Sequence, residues 1–230
     1  MKLGLISAVG ATIVLSACGG SSSSENVDAS VTLDQLKDRA AVARNTFELT
    51  PVDEDGFQNV IPVEPNQVPA RGELNYTGIA AVISGEAFND AADDVITLAA
   101  LGSSTMTVNF DTQVITGSAN NFFELDNPQT ALSGPIDTIQ AVQGQRIDGS
   151  LTYRFDQRAD GQNFYTGTVS GTLFQRNGEQ LDLAENMEGF FSGTNGRGFF
   201  GSTSDDIIVD ELDSPGVPFN SVGLLMTRDN

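Results

Sequence analysis

The sequence predicts an all-β protein, a single antiparallel up-and-down barrel of about eight strands preceded by a short N-terminal helix. From Glu73 onward, β-branched and aromatic residues alternate with polar ones at a period of two, which is typical of strands with one buried face. Asn-Gly and Asp-Gly pairs separate several of these segments, and such pairs supply the positive φ of hairpin turns. Glycines among the large aromatics let a small barrel bend and close. An open β-sandwich has a similar pattern and is the alternative architecture.

Before the barrel, the pattern predicts one helix and a connector. Leu33, Leu36, Ala40, Ala43 and Phe47 share one helical face, and Thr32 with Gln35 forms a capping-box pattern. The following proline-rich stretch, 51–69, is typical of an extended connector or an irregular strand pair. We therefore assign residues 31–70 to the helix and connector, and residues 71–230 to the barrel domain.

The strands of the barrel follow from the alternation and from the turn pairs between them. We expect buried faces to carry Phe110, Tyr153, Phe155 and Leu173. The stretches Ala87–Leu101 and Asn127–Gln145 are predicted to be longer loops or short helices. Turns are expected at Asp160-Gly161, Asn177-Gly178 and Asn195-Gly196. The predicted strands are Leu74–Ile83, Thr105–Asp111, Gln113–Ala119, Ile147–Asp156, Phe164–Gln175, Leu181–Ser192, Gly196–Ser202 and Phe219–Thr227.

The N-terminus resembles a bacterial lipoprotein signal. Lys2 precedes a short apolar run, and the run ends in Leu15-Ser16-Ala17-Cys18, small residues followed by the single cysteine of the chain. We predict that residues 1–17 are removed and that Cys18 is lipidated with acyl chains such as palmitate. Residues 18–30, with Gly-Gly and four serines, then form a flexible tether. The mature protein would hang from a membrane by its lipid and would not cross it.

Composition excludes several classes of function. The formal net charge is −20, with 31 acidic and 11 basic residues, so a nucleic-acid partner is excluded by repulsion from phosphates. The chain has no histidine, which excludes Ser-His-Asp and Cys-His catalysis. With Cys18 lipidated, no free thiol remains for a disulfide or a metal. The same charge favours a basic macromolecule as partner.

We predict no metal site in any of the three acidic stretches of the chain. Asp53-Glu54-Asp55-Gly56 lacks the spacing of a calcium loop, and Arg158 interrupts the calcium-like spacing of Asp156, Asp160 and Gly161. The run from Asp205 to Asp213 is typical of a solvated loop. Haem would need a tyrosine or methionine ligand, but Tyr76, Tyr153 and Tyr165 are expected in the core, so no cofactor is predicted.

Several segments of the barrel region resemble the barrel domain of the transferrin-binding protein B group, which are bacterial surface lipoproteins that also include haem-binding and factor H-binding members. The resemblance covers Arg71 to Asn230 together with the lipidation signal. It implies a non-enzymatic binding protein with its contacts in the loops. The segments are Tyr76-Thr77-Gly78, Met106 to Phe110, Val114 to Gly117, Gly167 to Phe174, Gly189 to Gly193 and Gly198 to Gly201.

The sequence thus predicts a lipid-anchored outer-membrane protein, not an enzyme, that binds a basic macromolecule or an iron-bearing ligand. Gly19 after the lipidated cysteine favours the outer membrane, and display on the cell surface or on the inner leaflet both stay open. The alternatives are an envelope structural or assembly lipoprotein without a soluble ligand, and a hydrolase that uses paired carboxylates. If exposed, three phenylalanine pairs would be the aromatic anchors of a binding surface: Phe122-Phe123, Phe190-Phe191 and Phe199-Phe200.

Overall fold

The structure is a computed structural model that describes residues 31–51, 59–87, 95–128, 142–158, 163–203 and 217–229. The lipidation signal, Cys18 and the tether lie outside the described residues, as do the acidic stretches 53–56 and 205–213. Within these residues the fold is formed by helix α1 (Leu33–Thr46) and nine strands: β1 (Glu73–Ala87), β2 (Val95–Asn109), β3 (Val114–Leu125), β4 (Gly144–Arg146), β5 (Asp148–Gln157), β6 (Tyr165–Phe174), β7 (Gln180–Ser192), β8 (Gly198–Thr203) and β9 (Val217–Arg228).

Eight of these strands close into an antiparallel barrel, which confirms the predicted fold class. Each strand pairs with the next along the chain, and β9 pairs back with β1 to complete the ring. In the closing pair, Tyr76 lies opposite Arg228 on one side and Met106 of β2 on the other. The short β4 adds to the far end of β3 beside β5. Closure removes the free sheet edges that an open sandwich would leave.

Both predictions of long loops or short helices, Ala87–Leu101 and Asn127–Gln145, are wrong in part. Val95–Leu101 belongs to β2, and Gly144 and Gln145 belong to β4. The first error has a physical cause: β2 is buried on both faces from Leu98 to Ser104, so its sequence is continuously apolar or small and lacks the period of two. Residues 88–94 and 129–141 lie outside the described part of the chain.

Three of the four predicted turn residues that the structure describes adopt positive φ. Gly178 has φ +87° between β6 and β7, and Asn195 and Gly196 have φ of 56° and 62° between β7 and β8, whereas Asn177 does not have positive φ. Glycine reaches this region freely because it lacks Cβ, and asparagine tolerates it better than most residues. The predicted Asp160-Gly161 turn lies outside the described residues.

The barrel interior is packed with side chains. All four residues predicted to be buried are so, with relative exposures of 7% for Phe110, 4% for Tyr153, and 0% for Phe155 and Leu173. Aromatic rings meet at the centre: Phe155 packs edge-on against Phe199, with centroids 5.4 Å apart, and Phe199 against Phe191 at 5.2 Å. Such contacts leave the interior without room for a large internal ligand.

Helix α1 lies against the outside of the barrel, over β9, β1 and β2. The capping box at Thr32 and Gln35 is confirmed. A second apolar cluster joins Leu36 and Ala40 of the helix to Ile79 of β1 and Leu225 of β9. Lys37, which the sequence would place in solvent, is buried instead and pairs with Asp34 at 3.3 Å, because its long apolar stem covers part of the barrel surface.

The described parts of the connector after the helix, 47–51 and 59–70, cross one end of the barrel. Leu49 forms an isolated bridge with Val60, and Pro62 forms one with Ser192 of β7. Val63 then joins the interior cluster, with 6% relative exposure. A single turn of 3-10 helix, Pro65–Gln67, follows before β1. The connector therefore covers this opening of the barrel.

Candidate functional site

The segments that join the strands at the two ends of the barrel differ in charge in the sequence. At one end, here called the turn end, short segments join the strands at 110–113, 158–164 and 193–197, with two acids and two arginines. At the other, the loop end, the strands are joined by 88–94, 126–143, 175–179 and 204–216. These loop-end segments hold one arginine, Arg176, and eleven acids: Asp90, Asp93, Asp94, Asp126, Asp137, Glu179, Asp205, Asp206, Asp210, Glu211 and Asp213.

The direction of α1 places the start of the described chain at the loop end. The carbonyl of Val31 accepts a hydrogen bond from Arg146 of β4, which pairs with the last residues of β3. The helix finishes at the turn end, where the carbonyl of Thr46 lies directly against Gly193. No helix in the described ranges is long and apolar enough to span a bilayer.

A concave pocket of about 280 Å³ opens at the turn end. The connector from Pro65 to Ala70 forms one wall. Phe110 and Tyr165 form the apolar part, and amide side chains of Gln113 and Gln157 lie beside them. The backbone N–H of Gln157 donates to the backbone carbonyl of Gln113 at 3.1 Å, and this bond joins the β2–β3 turn to the end of β5. None of the described residues that line this pocket has an acidic or basic side chain.

Asn163 holds the connector in place over the pocket. Its buried side-chain nitrogen donates to the carbonyls of Val63 at 3.0 Å and Phe191 at 2.8 Å. Its side-chain oxygen accepts from the amide N–H of Phe191 at 3.1 Å. One amide thus joins the β5–β6 connection, β7 and the connector, so the pocket wall is rigid before any ligand arrives.

The three tyrosines lie inside the barrel, as the sequence predicts. Tyr76 donates to the carbonyl of Gly196 at 2.9 Å, and Tyr153 bonds to Ser104 at 2.8 Å and to the carbonyl of Thr105 at 2.9 Å. Burial raises the pKa of both phenols, and it raises the pKa of Tyr165 to about 12. The phenols of Tyr76 and Tyr153 are bonded inside the barrel, which disfavours them as ligands of a bound haem iron.

Each predicted phenylalanine pair places one ring inside the barrel and one outside. Phe122, Phe191 and Phe199 are fully buried, and their neighbours Phe123, Phe190 and Phe200 are half-buried on the outer surface. Outside, Phe190 packs against Phe164 and Phe200 at 5.6 and 5.5 Å, and Phe123 lies under the Arg146 guanidinium at 4.9 Å. The pairs are therefore mainly structural, since neighbouring strand residues point to opposite faces.

Three of the acids that the structure describes pair with arginines. Asp156, which has the spacing of a calcium ligand in the sequence, is exposed, and its carboxylate lies 3.0 Å from the guanidinium of Arg154. Glu124 and Asp126 both bind Arg176 at the loop end, and these hydrogen bonds raise the pKa of its guanidinium. No group of three or more metal-binding side chains occurs in the described part of the chain.

Sequence reasoning missed the pocket. Gln113, Gln157 and Asn163 are ordinary polar residues at strand ends, and no motif marks them. The signal that could have found them is their position: each adjoins a turn at the same end of the predicted barrel. The connector that completes the pocket is placed only by long-range contacts such as Pro62 with Ser192.

Comparison with known proteins gives a distant structural likeness. No protein-family model matches the sequence, and no curated protein is similar to it. Two solved structures of mutant transferrin-binding protein B from Haemophilus parasuis Hp5 share 13% identity with the chain, with TM-scores of 0.41 and 0.42. The alignments cover 75% and 76% of this chain and 28% and 30% of theirs, so the chain spans less than a third of their length. At this level the likeness assigns neither ligand nor activity.

Proposed function

We propose that this protein is a lipid-anchored outer-membrane binding protein, not an enzyme, whose loop end binds a basic macromolecule. The observation that carries the proposal is the separation of charge between the ends of the barrel. Eleven acids against one arginine join the strands at the loop end, whereas the turn-end segments are balanced. A field of one sign attracts oppositely charged partners and repels like-charged ones.

The packed interior supports a role for the barrel as a rigid scaffold. Because its centre is filled by rings such as Phe155, Phe191 and Phe199, a large ligand must be bound at the ends or on the outer surface. Connections on a rigid scaffold are the usual carriers of binding function. The tether suits a position at a membrane: 12 residues lie between Cys18 and Val31, and the stretch from Cys18 to Val31 reaches about 45 Å when extended.

The observations favour this proposal over the two chemical alternatives. A hydrolase with paired carboxylates needs two acids facing one cleft. None of the described residues that line the turn-end pocket is an acid, and Glu124 and Asp126 are both bound to Arg176. Direct iron binding by tyrosinate is disfavoured by the raised pKa of Tyr76 and Tyr153. A basic protein remains the ligand class that best suits the charge.

A matched pair of charge variants tests the binding surface. The first variant neutralises four loop-end acids: Asp205→Asn, Asp206→Asn, Asp210→Asn and Glu211→Gln. The control neutralises four exposed glutamates at or near the turn end, through Glu48→Gln, Glu64→Gln, Glu73→Gln and Glu188→Gln. Both change the net charge equally, so only the position of the lost charge differs.

Immobilised mature domain is then used to capture proteins from detergent-solubilised envelopes at low and high salt. We expect a basic protein that is captured by the wild type and the control, lost in the loop-end variant and weakened by salt. Equal loss of capture in both variants would mean that only the net charge matters, which would contradict a specific binding surface at the loop end. Capture of no basic protein would favour the assembly lipoprotein without a soluble ligand.

A separate experiment tests the anchor. Cys18→Ser removes the sulfur that accepts the lipid, so we expect the variant to lose its acyl chains and to move from the membrane fraction to the soluble envelope fraction. Mass spectrometry of the N-terminal peptide and phase partitioning in detergent measure both. A serine variant that still partitions with detergent like the wild type would contradict lipid anchoring.

A further inference from the structure

The pocket at the turn end has the composition of a site for a neutral, polar ligand. Its apolar part is Phe110 and Tyr165, its hydrogen-bonding part includes Gln113 and Gln157, and none of the described residues that line it is charged. Among these residues a bound ion would lose its hydration without gaining a partner of opposite charge, which is costly. A purely apolar ligand would instead displace water from the Tyr165 phenol without replacing its hydrogen bond.

The phenol of Tyr165 is available to a ligand. Its ring is buried, with 3% relative exposure, and is fixed edge-on against Phe191 at 5.4 Å and Phe199 at 6.3 Å. Tyr76 and Tyr153 each have a hydrogen-bond partner for their phenol oxygen, but the described residues supply none for Tyr165. The phenol oxygen itself is not a buried atom without a partner, so it is open to water in the pocket, and a ligand hydroxyl can take the place of that water.

The pocket is also preformed. The three hydrogen bonds of Asn163 fix the connector wall, and the backbone bond between Gln157 and Gln113 fixes the opposite side. Gln113 has φ 58°, so the turn holds this residue in the left-handed region. A rigid site spends little free energy on ordering when it binds.

We propose that this pocket binds one ring of a neutral glycan. Hydroxyl groups of a sugar donate and accept, as do the amides of Gln113 and Gln157 and the phenol of Tyr165. The apolar faces of a sugar ring suit Phe110. The volume, about 280 Å³, is at the lower end of small-molecule pockets and suits a single ring. A peptide bound as an added strand would need an open sheet edge, whereas β2, β3, β5 and β6 are paired on both sides.

The site is tested by saturation-transfer NMR of the mature domain with millimolar glucose, galactose, mannose, N-acetylglucosamine and N-acetylgalactosamine. We expect saturation transfer to at least one of these sugars. Tyr165→Phe removes only the phenol oxygen and should weaken that binding by about 5- to 10-fold, as should Gln113→Ala, without lowering the melting temperature. Tyr153→Phe is the matched control, because its oxygen bonds inside the protein. It should lower the melting temperature and leave sugar binding unchanged.

Three results would overturn the proposal. The first is no transfer to any sugar of the panel. The second is binding that Tyr165→Phe and Gln113→Ala leave unchanged, which would place the sugar elsewhere. The third is a proline-containing peptide that binds in place of sugars with the same sensitivity to these variants. The loop-end charge variant must keep sugar binding, so this site and the proposed basic partner can fail separately.

Discussion

Two walls of the same barrel differ in what covers their outer face. The covered wall consists of β9, β1 and β2, whose outward residues Ile79, Ala81, Ala99 and Leu225 are buried beneath α1. The open wall consists of β5, β6 and β7, where buried and exposed residues alternate and the outer face carries Thr152, Thr166, Thr168, Ser170 and Asn186 in solvent. Both walls contribute to one interior.

The difference explains why the two walls have such different sequences. A strand of the open wall has one face to bury, so polar and apolar residues alternate along it. A strand of the covered wall has two buried faces, so its sequence is a continuous run of apolar and small residues, such as Gly78 to Ile83. In the covered wall the sheet therefore packs on both faces, against α1 on the outside and against the barrel interior on the inside.

Alkaline pH should produce the largest effect, because it acts on the interior that both walls share. Burial raises the pKa of Tyr76 in the covered wall, and of Tyr153 and Tyr165 in the open wall, the last to about 12 from 10.0. Folding therefore favours the protonated phenols, so their contribution is complete below pH 10 and is lost as the pH rises through about 12. We expect absorbance of tyrosinate near 295 nm to appear together with loss of the far-UV β signal. Tyrosinate that forms while the β signal persists would mean that one wall opens alone.

Phe155→Ala tests the shared interior by mutation. Phe155 belongs to the open wall but points inward, is fully buried and contacts the rings of Tyr153 and Phe199. We expect a loss of about 3–5 kcal/mol in the free energy of unfolding, measured by urea denaturation. A loss below about 1 kcal/mol would mean that the interior of the open wall is loosely packed.

Ile79→Ala and Thr168→Ala compare the outer faces directly. Both side chains point away from the interior, but Ile79 is fully buried under α1 and Thr168 is exposed. We expect Ile79→Ala to cost about 2–5 kcal/mol and Thr168→Ala less than about 0.5 kcal/mol. Similar small losses at both sites would contradict the tight packing of the helix on the covered wall.

Two arginines make the smallest and sharpest comparison. Arg39 on α1 donates to the buried Ser103 hydroxyl at 2.6 Å, whereas Arg154 on the open wall pairs with Asp156 in solvent. We expect Arg39→Ala to cost about 1.5–3 kcal/mol, since it leaves a buried hydroxyl without its charged partner. Arg154→Ala should lower the free energy of unfolding by about 0–1 kcal/mol, and this difference should disappear in high salt. If Arg39→Ala were equally mild, the helix would be held by apolar contact alone.

The sequence by itself determined the parts of this protein that depend on local pattern. The alternation in β5 to β7, the capping box of α1 and the glycine turns each arise from neighbouring residues, so they were predicted at nearly their observed positions. The buried faces of Phe110, Tyr153, Phe155 and Leu173 followed from the same period of two. The acidic loop end also needed only the sequence, once the order of the strands was known.

Tertiary structure alone decided the features that depend on residues far apart in the chain. The first half of β2 has no alternation to reveal it, because α1 covers the face that would otherwise be polar. The buried stem of Lys37 has the same cause. The pocket at the turn end exists because Val63 and Asn163, 100 positions apart, are joined by a hydrogen bond. Local sequence carries no record of such contacts, since their stability comes from closing the barrel and covering its end.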